Sequence, residues 1–144
     1  MEATTNVIQS NIHSQAASTT NNLQLWAGRI ISTLPVLFLV LDGVMKLFKP
    51  PIVVEATVKL GYPESVIAGL GIVLVACTIL YVIPRTAVLG AILLTGYLGG
   101  AVATHVRTGD SLFPIIFPVI IGAMLWGGLY LRNERLRSLV PVAR

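Results

Sequence analysis

Charge is what this chain has least of. Asp, Glu, Lys and Arg make up 11% of its 144 residues, against about 25% in an ordinary soluble domain. So few charges cannot cover a surface that faces water. With 55% hydrophobic residues and a mean hydropathy of +0.83, the chain falls in the membrane class. Cysteine is almost missing as well. Cys77 stands alone, which excludes an intrachain disulfide and a two-thiol redox relay. Histidine occurs only at His13 and His105. His13 lies in a polar segment, which argues against a bis-histidine haem site in the membrane. The chain also lacks a Walker loop, a metal-ligand cluster and a nucleophile motif, so no metal is expected. Its net charge of +4 does not indicate nucleic acid, because the basic residues stand at the ends of apolar runs rather than among aromatics.

Lys and Arg are absent from residues 1–25, which are rich in Asn, Gln, Ser and Thr. That composition predicts a disordered polar tail. With no basic region ahead of it, the first apolar run is expected to be retained rather than cleaved as a signal.

What the chain does have is long apolar runs. From Thr86 to Val106 there are 21 residues without a formal charge, bounded by Arg85 and Arg107. As a helix this run is about 30 Å long, the thickness of a bilayer's hydrocarbon core. At roughly 100° per residue, Gly90, Tyr97, Ala101 and Thr104 share one stripe, with Gly100 and His105 at its edges. Small residues admit a second backbone, so this stripe is expected to face other helices. Similar runs give an all-α fold of four membrane spans, about 26–48, 63–83, 86–106 and 113–131, within a membrane domain of residues 26–131. Trp26 and Arg29 suit an interfacial anchor of the first span. Pro35 is expected to kink that span, and Pro50-Pro51 to stop it. Between the first two spans, Ile52, Val53, Ala56 and Leu60 recur at helical spacing and predict a short interfacial helix ending at Gly61. Pro84-Arg85 forces a tight hairpin, and Ala123 with Gly127 reads as a small-residue contact on the fourth span. Residues 132–144 form a basic C-terminal tail.

Four spans leave both termini on one side. Arg29, Arg85, Arg132, Arg135, Arg137 and Arg144 lie on that tail side, and Lys46, Lys49, Lys59 and Arg107 on the other. Six against four favours cytoplasmic termini. The same topology carries Asp42, Lys46, His105 and Arg107 to the loop side, joined by Glu64. Asp42 and Lys46 are one turn apart and can pair. Ionisable groups at this depth face protein or a watery cavity. Asp42, Lys46 and His105 are therefore candidates to bind a ligand or relay a proton, with Arg29, Glu64, Tyr97, Thr104 and Arg107 as secondary candidates. The plainer alternative is a structural ion pair, a histidine wetted by headgroups, and Tyr97 and Thr104 as interhelical hydrogen-bond partners.

The ordered set of GRI, LPVLFLVLDGVMKLFKPPIVVEAT, LGYPES, IPRTAVLGAILLTGYLGGAVATHVR and LFPIIFPVIIGAMLWGGLYLR resembles the DoxX-like family over about Gly28 to Arg132. Arg29, Gly43, Lys46, Gly61, Pro63 and His105 carry the likeness. The resemblance implies a four-helix protein of the prokaryotic inner membrane. Some relatives are linked to membrane redox complexes, among them a thiosulfate:quinone oxidoreductase subunit. It thus implies a small subunit or accessory of a quinone-linked redox system, with quinone as the one cofactor in view. Two other classes stand beside it: a scaffold or assembly factor acting through a membrane protein partner, and an oligomeric carrier of small solutes or lipids.

Overall fold

The computed structural model describes residues 2–139, with side chains from Leu23 to Asn133 and from Leu136 to Ser138. Its elements are α1 (Glu2–Phe48), α2 (Pro51–Lys59), a 3-10 turn (Glu64–Val66), α3 (Ile67–Val82), α4 (Ala87–Thr108), α5 (Leu112–Arg132) and α6 (Glu134–Leu139). Four stretches are long and apolar enough to cross a bilayer: Leu23–Phe48, Glu64–Val82, Ala87–Thr108 and Leu112–Arg132. Each end lies within three residues of the span read from sequence. The protein is a multi-pass membrane protein with an all-α fold, and α2 is the short helix between its first and second spans.

α1 runs back through the polar N-terminal segment to Glu2, because a helix already nucleated adds residues at little further cost. The side chains of that expected tail before Leu23 lie outside those described, as does Arg144 of the C-terminal one. At its other end α1 stops at Lys49. This residue takes a left-handed conformation (φ 49°) and donates its N–H to the Met45 carbonyl, with Pro50 preventing continuation.

Helix α1 packs on α3 and α5, and α4 packs on the same two, so the bundle closes in the order α1, α3, α4, α5. Both membrane-side ends meet: Arg137 donates to the Gln24 side chain at 2.6 Å. The outward faces carry Leu37, Leu41, Ile72, Val73, Ile79, Ile92 and Val119, all exposed. Such a surface is stable only against lipid, so the protein contacts the bilayer along its whole belt.

The core fills the tail-side half. Leu74, Tyr81, Ala87, Ala91, Leu94, Leu125 and Leu129 are nearly inaccessible there. The Pro84-Arg85 hairpin brings α3 and α4 so close that a Cβ on Gly90 would run into the backbone nitrogen of Tyr81. Thr86 seals the turn by donating to the Leu80 carbonyl at 2.8 Å. The Tyr81 hydroxyl donates to the Leu125 carbonyl at 2.7 Å and meets Ser32 Oγ at 3.1 Å. Arg132 caps this knot, donating to the Tyr81 carbonyl at 3.1 Å while its guanidinium stands 4.7 Å from the ring centroid.

Two contact faces differ from expectation. Ala123 and Gly127 are exposed; it is the next residue, Gly128, that meets the first helix, at Gly28 and Ser32. A step of one residue turns a helix face by about 100°, and pattern alone does not choose between adjacent glycines. On α4, Gly90 and Thr104 are buried as the stripe predicts, but Gly100 is exposed with nothing near the position of a Cβ. Leu94 and Leu98 hold the contact face instead.

Candidate functional site

The loop-side half is hollow. A cavity of about 600 Å³ lies between α1, α2, α4 and α5, within the range of small-molecule sites. Its apolar walls are Phe38 and Leu39 from α1, Leu98 from α4, and Phe117, Pro118 and Ile121 from α5. Phe38 and Phe117 meet edge to face across the α1–α5 seam at 5.0 Å. Room on the α4 side comes from Gly96, Gly100 and Ala101, where larger side chains would fill the space. This is the physical reason Gly100 contacts no helix. On the loop side, all four periodic apolar residues of α2 (Ile52, Val53, Ala56 and Leu60) line the cavity. The amphipathic pattern of α2 thus covers a cavity rather than only lying on the membrane.

Asp42, Lys46 and His105 all line this one space, with Tyr97 and Thr104. Lys46 Nζ donates to both Asp42 oxygens at 2.5 Å, as their spacing on one turn requires. The pair is half-buried, with side chains 15% and 35% exposed for Lys46 and Asp42. Its position is set where α1 crosses α3 at Gly43 and Gly71. A Cβ on Gly71 would meet the Lys46 Cβ at 2.9 Å, so a larger residue there would push the lysine stem away.

His105 sits at the last turn of α4, and the chain turns back on it. Gly109 is left-handed (φ 71°); its N–H reaches the Val106 carbonyl and that of Asp110 the His105 carbonyl. This is the Schellman arrangement, which lays the second residue past the helix against the last turn. Here that residue is Asp110, whose Oδ2 is 2.7 Å from His105 Nδ1. Thr108 also reaches this oxygen, at 3.1 Å. The hydrogen bond from His105, then that from Thr108, holds the Asp110 carboxyl below its ordinary range, and nearby Lys59 adds to this. An ionised carboxylate only accepts, so Nδ1 carries the proton and donates. Nε2 is left without a partner among the described residues.

Thr104 donates to the Gly100 carbonyl at 2.9 Å, which uses its only hydrogen. Tyr62 is therefore the donor in its 2.8 Å bond to Thr104 Oγ1. The Tyr97 hydroxyl has no hydrogen-bond partner among the described residues. The remaining secondary candidates stand away from the cavity. Arg107 donates to the Leu60 carbonyl at 2.8 Å and so ties the end of α2 to α4. Glu64 is exposed in the first turn before α3. Arg29 is exposed and lies 5.8 Å from the Trp26 ring centroid, on the tail side.

Sequence reasoning missed Asp110 and Tyr62. A signal for the first exists: a glycine four residues after His105, followed by an acid, is the Schellman spacing with a charged pair in place of the usual apolar one. Tyr62 had none, since its partner is 42 residues away. Among the described residues no group of His, Cys, Asp and Glu could hold a metal ion. No curated protein and no solved structure matches the chain. A family model described as the DoxX-like family matches residues 30–128, and by that match over more than half its length the chain belongs to the DoxX-like family.

Proposed function

We propose that this protein is a small subunit or accessory of a quinone-linked redox system, and that its loop-side cavity takes the quinone headgroup. The observation that carries this reading is the cavity itself: an apolar space of about 600 Å³ whose wall holds a Tyr97 hydroxyl and a His105 nitrogen that have no partner among the described residues. A flat ring with polar oxygens on its edges matches such walls, because apolar faces take the ring and a few placed polar groups fix its orientation. Tyr97 would donate to a ring oxygen, His105 would hold or accept a proton at Nε2, and the paired Lys46 and Asp42 would keep the pocket neutral overall. When bound, a quinone supplies reversible two-electron, two-proton chemistry. The cavity favours this reading over a scaffold without chemistry. Carriage of solutes through one copy is disfavoured, because Leu94, Leu125 and Tyr81 fill the bundle below the cavity.

The family resemblance and the excess of arginine on the tail side support the prokaryotic inner membrane, with both termini cytoplasmic. Redox subunits act on partners, so a membrane protein partner or a second copy belongs to the same proposal. The test is purification in mild detergent followed by mass spectrometry of extractable quinones, lipids and co-purifying proteins. Quinone should be retained by the native chain and lost from His105→Ala with only the small fall in melting temperature that loss of the Asp110 contact brings. A protein that carries no quinone but holds a stoichiometric partner would make it a scaffold.

A further inference from the structure

We infer that the cavity selects the hydroxylated, reduced form of its ring ligand over the carbonyl form, and that Asp110 sets this choice by fixing the tautomer of His105. This deepens the reading under Proposed function and rests on it. The geometry comes from the turn after α4. Gly109 and Asp110 close back on the last turn, and the Asp110 carboxylate receives His105 Nδ1 at 2.7 Å. With Nδ1 protonated, the neutral ring presents Nε2 as an acceptor. A phenolic hydroxyl of the ligand can donate to that nitrogen, whereas a quinone carbonyl would set two lone pairs against each other. Across the cavity Lys46 spends two of its N–H groups on Asp42. Tyr62 gives its hydrogen to Thr104 and Thr104 gives its own to the Gly100 carbonyl, so neither donates at the His105 position.

Asp110 does not line the cavity, and its side chain is 30% exposed. It acts through His105 as a positioning residue, and its face toward water gives a proton taken up at the ring a path to the loop-side solution. The charged and titratable groups around His105 are Asp110 and Arg107 beside it, Tyr97 on α4, Lys59 and Tyr62 from the α2 arm, and Asp42 and Lys46 on α1. Helices α3 and α5 contribute only apolar residues to the cavity wall.

The test uses the full chain in lipid nanodiscs with decylubiquinol and decylubiquinone as probes, binding being measured without oxygen. The native chain should show a preference of about tenfold for the quinol over the quinone, the worth of one buried hydrogen bond made against one left unmade. Asp110→Asn should reverse it, because the amide can turn its NH₂ to Nδ1 and leave the hydrogen on Nε2. Asp110→Glu should keep the native preference. Nitrogen-15 spectra of His105 in both variants report the tautomer whatever the ligand does. Equal binding of the two probes by the native chain, or an unchanged preference in Asp110→Asn, would overturn the inference alone. Failure of both probes to bind at all would overturn the quinone reading and the inference with it.

Discussion

The two halves of the bundle use glycine to opposite ends. On the tail side, Gly28, Gly90 and Gly128 let backbones touch, and the space they release is taken up by Tyr81, Leu94, Leu125 and Leu129. On the loop side, apart from the Gly43–Gly71 crossing of α1 and α3, Gly96 and Gly100 have no neighbour within 4 Å of a Cβ position and border empty volume. Polar groups divide the same way. Tyr81 and Ser32 spend their hydrogen bonds on each other and on a helix carbonyl, while Tyr97 and His105 each keep an atom free among the described residues. One half is built for packing, and the other gives packing up for a site. Lipid-facing helices gain nothing from the hydrophobic effect between themselves, so their association rests on close packing and buried hydrogen bonds. Placing most of both in one half leaves the wall between α1, α4 and α5 in the other half free to remain open.

The comparison breaks most readily at Gly90. Gly90→Leu should destabilise the protein by about 3 kcal/mol, since a side chain there meets backbone that cannot yield. Gly100→Leu should leave the melting temperature in detergent nearly unchanged and abolish retention of the cavity ligand. Equal losses of stability at the two sites would show that the loop side is packed as tightly as the tail side. Next in size is Tyr81→Phe, which strips the hydroxyl from Ser32 and the Leu125 carbonyl; about 2 kcal/mol of stability should be lost, with ligand retention intact. A variant as stable as the native chain would remove Tyr81 as the organiser of the tail side.

Asp42→Asn probes the hollow half. Its ion pair is partly exposed, so the change should cost about 1 kcal/mol or less, while the ligand is lost because the Lys46 charge no longer has its counterion. A fall in melting temperature matching that of Tyr81→Phe, with ligand kept, would make the pair structural. The smallest effect belongs to Asp110. Its folded carboxyl is held low by His105, so its contribution is complete above the ordinary carboxylate range, about pH 4, and disappears as pH falls through the lower folded value. Melting curves of native protein and Asp110→Asn should differ near neutral pH and converge in acid. Curves that stay parallel would mean that Asp110 and His105 do not interact through charge.

The sequence by itself determined the class, the four spans and the pairing of Asp42 with Lys46. Each of these is a local property: runs of apolar residues set helix length, prolines set helix ends, and residues one turn apart share a face. Topology then followed from parity, which is why Asp42, Lys46 and His105 could be assigned to one end of the bundle before any contact was known. Only the tertiary structure decided which glycine of a pair meets a neighbour, that Gly100 borders a cavity, and that Tyr81 gathers three helices around its hydroxyl. It also decided that the face of α2 turns onto the site, and that Tyr62 reaches Thr104. These depend on how helices rotate about their own axes and how far apart they stand, which small residues scattered around a helix leave degenerate. A rotation of one residue is enough to exchange packing for open space, and what fixes it is the sum of contacts from residues distant in the chain.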